Sequence, residues 1–239
     1  VASSIFILLR KILMTKIKTD GFLSKEVLSV KRDIVEKYAD FFDYAKELNR
    51  YNMRLMKSLK IDWENSHSLT VNILYIRLIE LFQGLVLSLE MGMMPQSKVT
   101  ARSMLESVFV LVALQQKPAL LEKYLNQHEE SNFRALRTAQ AFKSKALKIA
   151  AKEHQLEKKY NEKKQSREGQ SFPTLNPKTW AKEASLEDLY SVYYVIYSDA
   201  VHANPVALED HINDGPERLD VSLGPTDKEL YEVLKCGCY

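Results

Sequence analysis

The stretch ILYIRLIELFQGLVLSLEMGMM, residues 73 to 94, decides the fold. It is apolar on most of its circumference at helical spacing, and Pro95 marks its end. The stretch is long enough to cross a membrane, but Arg77, Glu80 and Glu90 are each costly in lipid. We therefore predict a buried core helix of an all-helical protein, with no membrane as partner.

The segments on both sides also have helical periodicity. Residues 97–116 are nearly all apolar after Met104, which predicts a second helix at the centre of a bundle. Further helices are predicted over residues 25–59 and 185–202. Only seven Gly and seven Pro occur among 239 residues. The pattern predicts an all-α bundle of about five core helices.

The chain is expected to form one helical domain over residues 14–239, large enough to bury its own core. Within it, residues 119–167 contain no Gly or Pro, and we expect a long basic helical hairpin that folds back once. Residues 168–177 are the expected linker after this hairpin. Residues 1–13 are expected to be a non-native or disordered leader. The helix predicted at residues 226–239 is expected to be truncated.

The sequence contains few of the motifs that form disulfides or bind metals and cofactors. Its two cysteines, Cys236 and Cys238, are too close together to form a disulfide framework, which favours a cytoplasmic protein. A di-iron bundle needs two Glu-x-x-His pairs, and the sequence has one such spacing, Glu64 to His67; no glycine-rich phosphate loop occurs. We therefore expect neither a metal nor another cofactor.

Charge is distributed unevenly along the chain. Residues 134–168 carry eleven Lys or Arg against four Glu, whereas residues 183–232 carry twelve acidic side chains against two basic ones. The basic segment either follows the phosphate backbone of RNA or provides the solvated face of an exposed helix. The lysines that we assign to nucleic-acid binding are Lys143, Lys145, Lys148, Lys152, Lys158 and Lys159.

The same hairpin also contains a pattern that predicts binding to a second helix. Phe142, Ala146, Ile149, Leu156 and Tyr160 recur at spacings of three, four and seven, as in a two-helix seam. The opposite charges of the hairpin and the C-terminal region favour self-association. A homo-oligomer or a protein partner is therefore expected.

Four polar side chains recur every four residues on the helix predicted over residues 185–202. They are Tyr190, Tyr194, Ser198 and His202. A serine hydrolase is disfavoured, because no G-x-S-x-G elbow occurs and a hydroxyl within a helix usually bonds to a carbonyl one turn earlier. His202 is either the cap of a helix end or an acid–base group that titrates near neutrality.

Charged side chains on the two most apolar helices need partners. Arg77 and Glu80 lie on one, and Arg102 and Glu106 on the other. Because an unpaired charge in a core costs several kcal/mol, the four must pair with one another or line a polar cavity. They form either a structural salt network or a site shared with Tyr194, Ser198 and His202, with Arg77 and Glu80 as its supporting part.

The order of these motifs resembles a known family. RSMLE at residues 102–106, then Trp180, then YxxxSxxxH ending at His202 with Pro205 behind it, is similar to a widespread bacterial family of helical proteins. Its members carry only the label of a domain of unknown function. The resemblance covers roughly residues 70–215 and implies a helical fold without an assigned reaction.

The chain is also distantly similar to the HEPN superfamily of helical ribonucleases and toxins, which is common in phage defence. There an arginine precedes the histidine by five residues and RNA is cleaved in a dimer cleft. In this sequence Tyr197 stands five residues before His202. The resemblance therefore implies an arginine from another helix, and Arg102 is the candidate.

Three hypotheses follow from these patterns. In the first, the protein is a metal-independent ribonuclease or toxin in which His202 is the base and Arg102 stabilises the phosphorane, with Glu106 and Tyr194 orienting them. In the second, it is a non-enzymatic helical module for oligomerisation or partner binding. In the third, Arg77 or Arg102 binds a small anionic ligand between helices.

Overall fold

A computed structural model describes residues 19–168, 172–202, 205–214, 219–221 and 223–238, and the predicted leader lies outside these residues. The first eight helices are α1 (Val27–Lys37), α2 (Ala39–Ser58), α3 (Ser66–Glu90), α4 (Met94–Gln116), α5 (Leu121–Ala139), α6 (Lys145–Glu153), α7 (Leu156–Ser166) and α8 (Pro177–Glu183). The predicted all-α fold class is confirmed.

The C-terminal part begins with a continuous helix, α9, over residues 187–199. Its middle, Tyr190–Tyr194, is a π-helical turn between two α-helical parts, Glu187–Leu189 and Val195–Asp199. Two short helices follow, α10 (Pro205–Leu208) and α11 (Leu230–Gly237), together with 3₁₀ turns at Gly21–Leu23, Pro118–Leu120 and Glu209–His211. Between α10 and α11, strand β1 (Ile212–Asp214) pairs antiparallel with strand β2 (Leu219–Val221).

The core lies where α3 and α4 pack against each other. Leu85 and Leu89 of α3, Phe109 and Leu114 of α4 and Phe42 of α2 are fully buried. This packing explains why both segments are so apolar. However, α3 buries only one of its faces, which corrects the prediction of a buried core helix. It is long and apolar enough to span a membrane, and 22% of its most apolar window is buried inside the protein.

Ion pairs attach the ends of the described chain to this core. Glu90 at the end of α3 is buried and pairs with Lys31 of α1 over 2.7 Å. Lys98 of α4 pairs with Glu229, just before α11, over 2.8 Å. Glu90, predicted to be costly in lipid, therefore has a partner inside the protein, as a buried charge requires.

Two predicted helices are interrupted. The helix predicted over residues 25–59 breaks at Tyr38, whose φ of −117° and ψ of 31° are not helical. The hairpin contains three helices, because Gln155, with φ 52°, separates α6 from α7. Left-handed backbone at a non-glycine residue ends a helix, and periodicity gives no signal for it.

The hairpin is held together by contacts between α5 and α7, which run antiparallel. Phe133 stacks on Tyr160 with ring centroids 5.5 Å apart. Arg167 lies over the Phe133 ring at 4.5 Å and pairs with Glu130. At its base, Tyr124 packs edge-on against the buried Trp180 of α8 at 6.2 Å.

Candidate functional site

Arg102 is the centre of a polar cluster between α4 and α9. Its Nε donates a hydrogen bond to Ser198 Oγ over 3.1 Å, and its Nη2 donates to the Tyr194 hydroxyl over 2.7 Å. Nη2 also lies 3.3 Å from Glu106 Oε1, one turn further along α4. The Arg102 side chain is 20% exposed, and contacts from both helices hold its guanidinium in place.

One edge of the guanidinium is left available. The hydrogen bonds and the ion pair use Nε and Nη2, and Nη1 contacts no acceptor within the described part of the chain. Arginine carries two N–H donors on that nitrogen. Arg102 can therefore donate to an incoming anion without losing the contacts that hold it in place.

Tyr194 is the buried member of the cluster. Its hydroxyl donates to Glu106 Oε1 over 2.6 Å, and its ring lies 4.8 Å from the Arg102 guanidinium carbon. Burial raises the pKa of Tyr194 well above its usual value, and the hydrogen bond and negative charge of Glu106 add to this shift, while Arg102 opposes it. Tyr194 is therefore a protonated donor that orients its neighbours, and it is not a base.

Ser198 also has a positioning role. Its hydroxyl donates to the Tyr194 carbonyl over 2.8 Å, one turn earlier in α9, and accepts from Arg102. This is the back-bonding expected of a serine within a helix. Because the proton is committed to a carbonyl, the geometry does not activate Ser198 as a nucleophile.

An aromatic wall supports the cluster from inside the protein. Tyr190 stacks on Tyr194 with centroids 5.0 Å apart, and Phe109 lies 6.1 Å from the Tyr194 ring. The π-helical turn that carries both tyrosines is a feature often found near functional sites. Phe109 was not among the predicted site residues, although its spacing of seven from Arg102 places both on one face of α4.

His202 stands at the exposed end of the same helix. α9 ends at Asp199, and the following turn closes with a hydrogen bond from the His202 N–H to the Asp199 carbonyl over 3.3 Å. In a turn closed by a hydrogen bond between residues i and i+3, those two residues lie on the same side. His202 is therefore aligned with Asp199, and not with Tyr194 and Ser198. The His202 side chain is exposed, and the residue follows Ser198, which Arg102 contacts, by four positions in the chain.

Arg77 and Glu80 do not join this cluster, and their prediction as its supporting part is wrong. Both side chains are exposed on the face of α3 that points away from the core. The prediction failed because α3 was expected to be too apolar to leave its charged side chains facing water.

The hairpin lysines assigned to nucleic-acid binding are all exposed. Lys143 precedes α6, which carries Lys145, Lys148 and Lys152, while Lys158 and Lys159 lie on α7. Lys158 is 3.9 Å from Glu162. An exposed lysine group can follow a phosphate backbone, and it equally suits a solvated surface.

The predicted hairpin seam is divided between two helices. Ile149 lies on α6 and is 52% exposed, whereas Tyr160 lies on α7 and packs on Phe133 inside the hairpin. The break at Gln155 separates them. The five seam residues therefore do not form one continuous stripe for a partner helix.

The fold and site define an all-helical protein with an arginine-centred polar cluster between two helices. DUF5677, a family of unknown function, matches residues 68–218, and the chain belongs to this family. The matched region contains α4, α9 and every member of the Arg102 cluster. No curated protein matches the chain, and no solved structure does.

Proposed function

We propose that the protein is a metal-independent ribonuclease, acting as a toxin or defence protein, with Arg102 and His202 as its catalytic residues. One observation carries the proposal: Arg102 is held by Ser198 and Tyr194 on the helix whose exposed end bears His202. An oriented arginine that stabilises developing charge and an imidazole that moves a proton fill the two roles that RNA cleavage without a metal requires.

The reaction follows from these two groups. His202 takes the proton of a ribose 2′-hydroxyl, and the O2′ atom attacks the adjacent phosphorus. The bond between phosphorus and O5′ breaks, and the imidazolium returns its proton to O5′. The products are a 2′,3′-cyclic phosphate and a free 5′-hydroxyl, so atoms and charge balance without a co-reactant.

The remaining residues act by positioning. The free Nη1 of Arg102 would donate to a phosphoryl oxygen as negative charge develops there. Glu106, Tyr194 and Ser198 fix the guanidinium plane through the bonds that they already make. The exposed lysines of α6 and α7 would hold the RNA strand, which makes binding dependent on salt.

The test is cleavage of labelled RNA by purified protein, together with growth arrest on expression. His202→Ala and Arg102→Ala are each expected to lower the cleavage rate by about 10²-fold or more. His128→Ala is the matched control, because this exposed histidine contacts only Asn132 of its own helix through its ring. If wild type and His202→Ala leave RNA equally intact, the proposal is wrong.

A second candidate is the binding of a small anionic ligand, and the free edge of Arg102 supports it. In that case nucleotide monophosphate binds with a heat signal that Arg102→Ala removes, and RNA stays intact. Calorimetry with uridine monophosphate, run beside the cleavage assay, separates the two candidates.

A further inference from the structure

The outer face of α3 carries a stripe of exposed and half-buried residues with the spacing of a helix–helix seam. Its members follow one another at intervals of three, four, three, four and three residues, the repeat that places side chains along one face of paired helices. We name it the α3 outer stripe, and it consists of Thr70, Ile73, Arg77, Glu80, Gly84 and Leu87.

The α3 outer stripe exposes two large apolar side chains on either side of two charged ones. Ile73 is 54% exposed and Leu87 is 58% exposed, on a helix whose opposite face forms the core. Between them, Arg77 and Glu80 are exposed, and neither makes an ion pair or hydrogen bond to another residue of the described ranges. Apolar residues that flank two unpaired opposite charges indicate an interface.

We propose that the α3 outer stripe binds a second copy of the chain, antiparallel and about a two-fold axis. The charges select this orientation. In an antiparallel register Arg77 of each copy lies opposite Glu80 of the other, which gives two ion pairs from one contact. A parallel pairing in register would instead set Arg77 against Arg77 and Glu80 against Glu80.

The same register also matches side-chain sizes. When Arg77 lies opposite Glu80, Ile73 lies opposite Gly84 and Thr70 lies opposite Leu87, so each large side chain meets a smaller one. A methyl group at Gly84 would meet no atom within 4 Å in one chain, so nothing in the monomer requires glycine there. Glycine in a helix interior costs about 1 kcal/mol, and close approach of a second helix accounts for it.

A lipid surface is the competing occupant, since α3 is long and apolar enough to span a membrane. Arg77 and Glu80 lie in the middle of the helix, where charge is most costly in lipid. The ion pairs of the antiparallel dimer use both charges, whereas lipid satisfies neither. The stripe therefore favours a second copy.

The test exchanges the charges at Arg77 and Glu80 and measures the molar mass of the full chain by light scattering over a series of concentrations. Wild type is expected at twice the chain mass. Arg77→Glu and Glu80→Arg are each expected to weaken the dimer about tenfold or more, because like charges then face each other, and the double variant is expected to restore it. Both side chains are exposed in one chain, so the circular dichroism spectrum of each variant should match that of wild type.

Gly84→Leu gives an independent arm. Leucine has a higher helix propensity than glycine, and its Cβ would meet no described atom within 4 Å in one chain, yet it would collide with Ile73 of the second copy, so we expect a folded monomer. The proposal is overturned if wild type is monomeric throughout, if the single charge reversals leave the dimer intact, or if the double variant stays monomeric. If the protein is a monomer that floats with phosphatidylcholine–phosphatidylglycerol vesicles, the stripe binds lipid and the proposal is overturned. If only Ile149→Asp abolishes the dimer, the hairpin is the interface and the proposal is also overturned.

Discussion

The Nε atom of Arg102 lies 3.1 Å from the Oγ atom of Ser198, and this hydrogen bond joins two helices whose contacting residues are 96 positions apart. Arg102 is thereby fixed from α9 as well as by Glu106 on its own helix. Preorganised donors of this kind stabilise developing charge without reorganisation. The cluster is therefore suited to an anion at the free edge of the guanidinium.

Replacing Tyr194 by phenylalanine tests how much the cluster stabilises the fold. The ring contacts with Tyr190 and Phe109 remain, but Glu106 and Arg102 each lose a hydrogen bond at a buried position. We expect the free energy of unfolding to fall by about 2 kcal/mol in urea titrations. Tyr190→Phe is the control, because the hydroxyl of Tyr190 makes no hydrogen bond to another described residue. Its free energy of unfolding should stay within about 0.5 kcal/mol of wild type. Equal losses in the two variants would contradict the account.

Arg102→Lys separates charge from geometry. A lysine keeps the positive charge, but its compact ammonium does not reproduce the planar fork that reaches both Ser198 and Tyr194. We expect kcat for RNA cleavage to fall by about 10²-fold or more. Arg54→Lys, at an exposed position of α2, should leave kcat unchanged. Full activity in Arg102→Lys would show that geometry is unimportant.

The cluster residues were largely predictable, because helical spacing places Tyr194 and Ser198 on one face and pairs Arg102 with Glu106. Their meeting across two helices required the fold. The position of His202 was less predictable, since it depends on how the last turn closes after Asp199, and periodicity does not distinguish an α-helical from a 3₁₀ end.

The exposed positions of Arg77 and Glu80 were not predictable from the sequence. The apolar composition of α3 predicted a buried core helix, whereas the protein covers only one face of it. An apolar composition indicates that a helix packs against another surface, but it does not indicate whether that surface belongs to the same chain. Similarly, the breaks at Tyr38 and Gln155 depend on single backbone conformations that the hydrophobic pattern does not encode.

The attachment of Asp227 to α1 predicts a dependence of stability on pH. Lys37 hydrogen-bonds this carboxylate and lowers the pKa of Asp227, with a smaller contribution from Tyr38. A pKa lowered by folding stabilises the protein above the unfolded aspartate pKa of about 3.9, and this contribution is lost as the pH falls through the folded value. Asp227→Asn should therefore lose less stability than wild type between pH 7 and about pH 3.

Urea unfolding at both pH values measures this difference. Lys37→Met is expected to behave like Asp227→Asn, because it removes the cation responsible for the shift. Asp33→Asn changes an exposed aspartate and should keep the dependence of wild type. An Asp227→Asn profile that parallels wild type would exclude this ion pair as a source of acid sensitivity.

The lysines of α6 predict how RNA binding responds to salt. Lys148→Gln/Lys152→Gln removes two exposed charges from the hairpin. If both contact phosphates, the slope of log K against log salt should become shallower by about 1.4, since each contact to a single strand contributes about 0.7. Lys57→Gln/Lys60→Gln, near the end of α2, is the control and should keep the slope. Fluorescence anisotropy with labelled RNA measures both, and identical slopes would remove the hairpin from the binding surface.

The most direct test of the central claim is to identify the RNA ends produced by wild type and by His202→Ala. If His202 deprotonates a ribose 2′-hydroxyl, wild type yields 2′,3′-cyclic phosphate ends, while an all-DNA strand of the same sequence stays intact. His202→Ala should then yield these ends at a rate lower by about 10²-fold or more. Cyclic phosphate formed equally by His202→Ala, or cleavage of the DNA strand by wild type, would contradict the account.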